Sequence, residues 1–493
     1  MSTGEVIALV LAAIDIAFRL IALVIVPRNR RPQTSMAWLL AIFFIPFLAF
    51  FAFLAFGSHR LSPKRIAKQE TTNAFLKKRS EAIPKGLRVT PAELANLGGV
   101  TTALTAALSS MNESLGHLPL LRGNTTRFLG DYDESLRQMV ASIDGARHSV
   151  HCMFYIMSVD DTSEEFFDAL ERARARGVAV RVLFDQVATA RIPGSRKVGA
   201  RLKEAGIEYR AMLPFQPWRG VYQRPDLRNH RKILVVDSEV AYTGSQNIIE
   251  PGYHRRSRLG LQWLDLMVEL RGPAVDGLEA LFVTDWFHET DTLLDTPRAL
   301  DVAQTSSEDE DTWIQVVPSG PAFEGENNLR LFNGLMYLAQ HQIHIVSPYL
   351  VPDDSMRYAI TSAALRGVRV DVFVSEVSDQ PLVFHAQRSY YDELLAAGVH
   401  IWLYPKPTLL HSKFVVIDGE VAVMGTSNLD MRSFSLNLEL SLLMVGNKAI
   451  GELSDLATRY QAASAELTTE AWDARGQRAR FIEGLARLTA TVQ

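Results

Sequence analysis

The sequence predicts an α/β protein: two duplicated α/β domains packed about a pseudo-two-fold axis and preceded by a two-helix transmembrane hairpin. Three observations predict it. The stretch NHRKILVVDSEVAYTGSQN, ending at Asn247, is written again as LHSKFVVIDGEVAVMGTSN, ending at Asn428. Apolar strand patterns alternate with amphipathic helix patterns around both copies. Two long apolar runs stand at the amino terminus. A chain of 493 residues also exceeds what one core ordinarily organises, so two or three domains are expected.

The first apolar run, Val6 to Val26, spans 21 residues and is interrupted only by Asp15 and Arg19; the second, Met36 to Gly57, holds no charged residue. A helix needs roughly 20 such residues to cross a hydrocarbon core. No Lys or Arg precedes Val6, so the start does not look like a signal peptide, and residues 1–58 are expected to form a membrane hairpin. Asp15 and Arg19 are four apart and can neutralise one another on one helical face. Pro46 is tolerable in a second span if neighbouring helices satisfy the freed backbone groups. Arg28, Arg30 and Arg31 lie between the runs, against Arg60, Lys64, Arg65 and Lys68 after them. That balance leans toward a cytoplasmic main body.

Residues 59–118 read as a connector with some helix. The duplication follows. HSVHCMFYIMSVDDTSEEFFDALERARARGVAVRVLFDQV in the first half matches QIHIVSPYLVPDDSMRYAITSAALRGVRVDVFVSEV in the second. Both read as strand, acidic loop, helix, a helix-ending Gly and a second strand. LKEAGIEYR and LLAAGVHIW repeat the pattern of helix, Gly and strand. The domains are expected over 119–298 and 313–493, joined by an acidic linker over 299–312. His230 follows Gly206 by 24 residues, whereas His411 follows Gly398 by 13, so the first half carries an extra loop around PFQPWRGVYQRPDLRN. A second extra loop surrounds GYHRRSRLGLQW. Register then returns, with Asp265 to Gly272 and Glu439 to Gly446 both spanning 7 residues. Asp265 and Glu439 are thereby equivalent.

In a strand, residues i and i+2 share a face, so His230 emerges beside Lys232 and His411 beside Lys413. Asp237 and Asp418 sit where a turn leads into the next strand. That strand ends on Gly with Ser245 and Asn247, or on Gly with Thr426 and Asn428, small and polar groups that allow close approach of a ligand and offer hydrogen bonds. Two imidazoles, two ammonium groups and two amides directed at one point suit displacement at a phosphodiester. One His attacks phosphorus, the other protonates the leaving oxygen, and the roles then reverse. Lys232, Lys413, Asn247 and Asn428 would hold the phosphoryl oxygens. Asp265 and Glu439 would hold the imidazoles in the required tautomer. No dense set of carboxylates or spaced His ligands accompanies the motif, so neither metal nor other cofactor is expected. The single Cys152, in an apolar run, reads as a core thiol.

At these residues the sequence resembles the phospholipase D superfamily, whose HxKxxxxD signature is met by His230, Lys232, Asp237 and by His411, Lys413, Asp418. Over nearly the whole chain it is more closely similar to bacterial cardiolipin synthases. MAWLL, PSGP, SPYLVPDDSMRYAI and GTSNLDMRSFSLNLE carry that likeness, the last with Asn428, Asp430, Arg432, Ser433, Asn437 and Glu439 in the family's positions. The resemblance implies two phospholipase D-like domains, a phosphohistidine intermediate, no metal, and transfer of a phosphatidyl group between two phosphatidylglycerols at a bacterial inner membrane. A net charge of -4 and the anchor argue against a nuclease and a nucleic-acid partner. A phospholipase D-type hydrolase and an inactive lipid-binding protein are the competing readings. The two extra loops, with Trp218, Arg219, Tyr222 and Arg224 in one and Arg255, Arg256, Arg258 and Trp263 in the other, are candidates to rest on anionic lipid headgroups.

Overall fold

The computed structural model describes residues 2–28, 32–57, 62–97, 99–216, 224–253, 260–296, 312–323 and 325–490. The linker expected over 299–312 lies outside them except for Thr312, which already begins a strand. Trp218, Arg219, Tyr222, Arg255, Arg256 and Arg258 also lie outside the described residues.

The first apolar run forms the helix Thr3–Ile25, capped by Ser2 and Glu5, with Arg19 and Asp15 paired at 2.8 Å. It is the one described helix long and apolar enough to cross a membrane. The second run departs from expectation. It breaks into Pro32–Phe44 and Pro46–Phe56 at Ile45, whose φ of -133° and ψ of 68° leave the helical region. Pro46 supplies no N–H and crowds the residue before it, so the chain restarts with Pro46 in the first turn of a new helix. At 1.5 Å per residue the pieces are each only about 16 to 20 Å long. The three helices pack on one another through Phe18, Trp38, Phe50 and Phe53.

The first half contributes strands β1 (Leu120–Leu129), β2 (Ser149–Phe154), β3 (Ala179–Asp185), β4 (Glu208–Met212), β5 (Ile233–Val236), β6 (Val240–Gly244), β7 (Gln262–Leu264) and β8 (Met267–Arg271). The second contributes β9 (Thr312–Ser319), β10 (Gln342–Val346), β11 (Leu350–Val351), β12 (Arg369–Ser375), β13 (His400–Tyr404), β14 (Thr408–Leu410), β15 (Phe414–Ile417), β16 (Val421–Gly425), β17 (Leu429–Asp430), β18 (Glu439–Val445) and β19 (Ala465–Glu466). Fifteen of them make one mixed sheet. Outward from the antiparallel pair β1 and β9, the order is β8-β6-β5-β2-β3-β4 on one side and β18-β16-β15-β10-β12-β13 on the other, where β19 adds an edge strand with no counterpart. From β1 and β9 out to β4 and β13, the halves therefore repeat one topology.

Local signals explain the repeat. The helices Glu164–Ala175 and Asp354–Leu365 each end two residues before a glycine of positive φ, Gly177 and Gly367, that turns the chain into the parallel strands β3 and β12. Between β5 and β6, Asp237 and Ser238 both take positive φ, as do Asp418 and Gly419 between β15 and β16, which gives the tight hairpin turn that matches strand twist. Val235, Val268 and Leu281 of the first half share one core with Phe414, Leu440 and Leu453 of the second. Each such side chain contributes about 1.5 to 3 kcal/mol on burial, so the halves stabilise one another.

The connector is tied to both halves. Arg79 of the helix Pro63–Glu81 pairs with Asp276 at 2.8 Å, on the first half's helix Val275–Thr290. At the other end, Thr101 donates to Asp418, and the Thr102 N–H donates to Glu420 at 2.9 Å, at the β15–β16 turn.

Candidate active site

The two signatures meet at the carboxyl ends of the parallel strands, and strand pairing across the halves decides how. β7 runs parallel to β14 with Leu264 opposite Leu410, so the next residues, Asp265 and His411, lie side by side. Asn229 likewise bridges Leu438 in parallel, which brings His230 beside Glu439. His411 Nδ1 is 2.6 Å from Asp265, and His230 Nδ1 is 3.0 Å from Glu439 and 3.1 Å from the Thr426 carbonyl. Each imidazole is thus held by the carboxylate of the other half.

The acceptors fix the tautomers. A carboxylate and a carbonyl only accept, so Nδ1 carries the proton and Nε2 keeps its lone pair. The Ser245 hydroxyl donates to Asp265 at 2.6 Å and the Thr426 hydroxyl to Glu439 at 2.6 Å, which orients both carboxylates. Lys232 and Lys413 each donate to the carbonyl of the histidine two residues earlier, at 2.7 Å. All six charged or titratable groups are buried. Two ammonium groups and two carboxylates leave the centre without excess charge until an anion enters.

The phospholipase D-like pattern is also found by comparison. The family described as "Cardiolipin synthase, PLD-like domain" matches residues 139–286 and 334–460, more than half the chain, and the family described as "Phospholipase D-nuclease N-terminal" matches residues 7–58. "Cardiolipin synthase A" of Proteus mirabilis (strain HI4320) is 32% identical over 464 residues, covering 93% of this chain and 92% of that protein. The chain belongs to the cardiolipin synthase family. "Cardiolipin synthase" of Halalkalibacterium halodurans is likewise 32% identical, covering 94% of this chain and 90% of that one. Among solved structures, the phosphatidylserine synthase of Haemophilus influenzae Rd KW20 shares the fold, with a TM-score of 0.59 at 16% identity over 78% of this chain and 99% of that one.

Within this cardiolipin synthase-family fold, His230, Lys232, His411, Lys413, Asp265, Glu439, Ser245 and Thr426 come together as the sequence predicts. Asp237 and Asp418 do not join them. The Asp237 carboxylate accepts from the N–H groups of Arg147, His148 and Ser149, and Asp418 from those of Gln340, His341 and Gln342, all at 2.7 to 2.8 Å. They clamp the hairpin turn onto the strand that begins beside it. Asp237→Asn and Asp418→Asn are therefore expected to lower stability by about 1.5 to 3 kcal/mol each, with kcat in the folded fraction changed less than about threefold. Denaturant melts and active-site titration check this; a large loss of kcat at wild-type stability would return them to the chemistry.

Three other expectations are corrected. Asn247 is committed within the fold, donating to the Tyr253 hydroxyl at 2.6 Å and accepting from the Ile156 N–H. Asn428 instead has a buried side-chain oxygen with no hydrogen-bond partner among the described residues. The glycines before Ser245 and Thr426 serve close strand approach and not a ligand: a Cβ on Gly244 would lie 2.2 Å from the Leu266 carbonyl, and one on Gly425 2.2 Å from that of Leu440. Trp263 is buried and stacks on Tyr253 at 4.5 Å, while Arg224 is paired with Asp226 at 2.5 Å. Neither is a free headgroup contact.

Sequence reasoning missed Tyr155, whose ring meets His230 edge-on at 4.7 Å and lies 5.4 Å from the Lys232 ammonium. Its counterpart in the repeat is Pro348, so no doubled letter marked it. It also missed Asp185 and Ser375, at the ends of β3 and β12. They accept from the N–H of Asn229 at 3.2 Å and of Leu410 at 2.7 Å, the residues just before each histidine.

Burial pushes His230 down to about 4, with Lys232 and Lys413 adding to it and Glu439 opposing it. Burial and Lys413 push His411 to about 4 as well, against Asp265. Burial also lowers Lys232 to about 7 and Lys413 to about 8, despite both carboxylates. For Asp265 and Glu439 burial acts upward, but His411, His230 and the lysines outweigh it and hold both below the usual range. At neutral pH both imidazoles are therefore free bases, and the ammonium charge is what titrates. We expect kcat/KM to fall as pH rises through about 7 to 8, where the free site loses that charge. A profile flat to about pH 10 would overturn this assignment.

Proposed function

We propose that the protein is a membrane-anchored phosphatidyltransferase that joins two phosphatidylglycerol molecules into cardiolipin and releases glycerol. The crossed pairs, His230 with Glu439 and His411 with Asp265, carry this reading, with family membership behind it. They give one buried centre with two equivalent imidazoles and two ammonium groups.

Nε2 of one histidine attacks phosphorus, forming a P–N bond as the P–O bond to glycerol breaks, and the other histidine gives that oxygen its proton. The phosphodiester's own negative charge favours protonation of the second imidazole when it enters a site otherwise without excess charge. The second histidine, now neutral, takes the proton from the primary hydroxyl of another phosphatidylglycerol. That oxygen attacks phosphorus and the P–N bond breaks. Lys232, Lys413 and the side-chain NH2 group of Asn428 donate to the phosphoryl oxygens through both steps. Water is excluded from the second step by orientation of the lipid alcohol, an advantage that reaches roughly 7 to 11 kcal/mol in well-aligned reactions.

The anchor is the apolar segment of residues 1–58, read as a hairpin in which the broken second run completes the return, with the catalytic body on the cytoplasmic face of a bacterial inner membrane. The domains are drawn at 119–298 and 313–493 about a pseudo-two-fold axis, a reading supported by the strand order repeated outward from β1 and β9.

Purified protein in phosphatidylglycerol bilayers is expected to yield cardiolipin and glycerol in nearly equal amounts, with phosphatidic acid minor; lipid mass spectrometry and a glycerol assay measure this. Phosphatidic acid as the main product would make the protein a hydrolase. No turnover at all would make it a lipid-binding protein.

A further inference from the structure

The second half carries an apolar surface that neither the anchor nor the catalytic centre uses. The helix Gln477–Arg487 buries Glu483 and Ala486 against the body. Glu483 accepts from Arg388 at 2.8 Å and from Arg475 at 3.0 Å, which fastens the helix to its neighbour Pro381–Arg388. Opposite that buried face, Phe481, Leu485 and Leu488 recur at the i, i+4, i+7 spacing of a single helical stripe. They are 67%, 51% and 77% exposed. Arg478 and Arg480 are exposed on the flanks of the same stripe, while Arg487 turns to the body, 4.6 Å from the Tyr390 ring and 3.8 Å from Glu393. An outward apolar ridge edged by arginines is the pattern of a helix that lies in the surface of an anionic bilayer.

Its place in the fold agrees. The neighbouring helix Pro381–Arg388 starts a few residues after β12 ends at Ser375, at the carboxyl ends of the parallel strands where the site opens, and carries Leu382 at 52% exposure. Between them Asp379 is near enough to Lys413 to act on its charge. In the first half the helix that follows the anchor reaches the same end of the sheet: Arg65 pairs at 2.7 Å with Glu289, which also accepts from the Leu213 N–H just past β4. Anchor and arginine-edged ridge thus stand at the carboxyl-end rim of opposite halves.

We infer that the helix Gln477–Arg487 is a second, peripheral membrane contact that docks the rim of the second half onto anionic lipid. The inference rests on the reading that the mouth of the site faces a bilayer, and its test is independent of turnover. Cys152 is buried, with a thiol pushed up by burial, so Phe481→Cys can be labelled alone with an environment-sensitive fluorophore in the full chain. In vesicles containing phosphatidylglycerol the label should shift to shorter wavelength and be quenched by nitroxide-labelled lipid. In phosphatidylcholine vesicles it should remain solvent-like, as should a control label at Glu204→Cys in both. Each of Arg478→Gln and Arg480→Gln should weaken docking about fivefold. A triple variant, F481S with L485S and L488S, should lose several-fold in turnover in anionic vesicles and keep wild-type turnover on detergent-dispersed substrate.

A solvent-like label in anionic vesicles, or equal quenching in neutral ones, overturns the inference. So does a label that becomes buried in lipid-free detergent as protein concentration rises, because the ridge would then be covered by a second copy. Wild-type protein that docks but makes no cardiolipin would sink the proposed function and leave the docking standing.

Discussion

His230→Ala and His411→Ala will each lower phosphatidyl transfer by about 10,000-fold or more, because one removes the nucleophile and the other the acid of a single two-step displacement. Mixing the two variants will not restore it, because each histidine depends on a carboxylate of the other half within the same chain. A substrate whose leaving group needs no proton, such as a p-nitrophenyl phosphodiester, separates the roles. The variant that still releases p-nitrophenol in a burst lacks the acid; the one with no burst lacks the nucleophile. Near-wild-type transfer by either single variant at unchanged thermal stability would rule out the two-histidine mechanism.

Asp265→Asn and Glu439→Gln will each lower kcat by about 100 to 10,000-fold with little change in KM, the signature of a carboxylate that acts by fixing a tautomer. Neither carboxylate touches the substrate in this scheme. An amide has an NH2 group that competes to face Nδ1 and no charge to stabilise the imidazolium formed when that histidine takes up the substrate proton. The effect of Glu439→Gln should overlap with that of Thr426→Val, since the threonine hydroxyl acts by orienting the same carboxylate at 2.6 Å. The double variant is expected to lose clearly less than the product of the two single losses. Losses below about tenfold for both carboxylate variants, measured as kcat on saturating lipid, would mean that the histidines hold their tautomers without them.

The chemistry was legible in the sequence because it is doubled. One His-x-Lys on a strand says little, but two copies that keep Asp, Gly and Asn in register, with equal spacing from Asp265 to Gly272 and from Glu439 to Gly446, mark the repeat and its acids. Strand alternation and the positive-φ glycines after each helix are local rules, and they gave the α/β units. Pro46 acts by an equally local rule: a proline in the middle of an apolar run removes the hydrogen bond that would have carried the helix through.

Tertiary structure alone decided which acid serves which histidine. The spacing makes Asp265 and Glu439 equivalent but leaves their partners open, and pairing within each half is the simpler guess. The exchange comes from the parallel register of β7 on β14 and from the Asn229–Leu438 bridge, contacts between segments 146 and 209 residues apart. No periodicity in the chain encodes such a pairing, which is set when the two halves close their shared core. The same reason separates Asp237 and Asp418 from the signature they belong to. Their letters are fixed by a turn and three amide donors at the far end of a strand, and only the folded sheet shows that this end points away from the site.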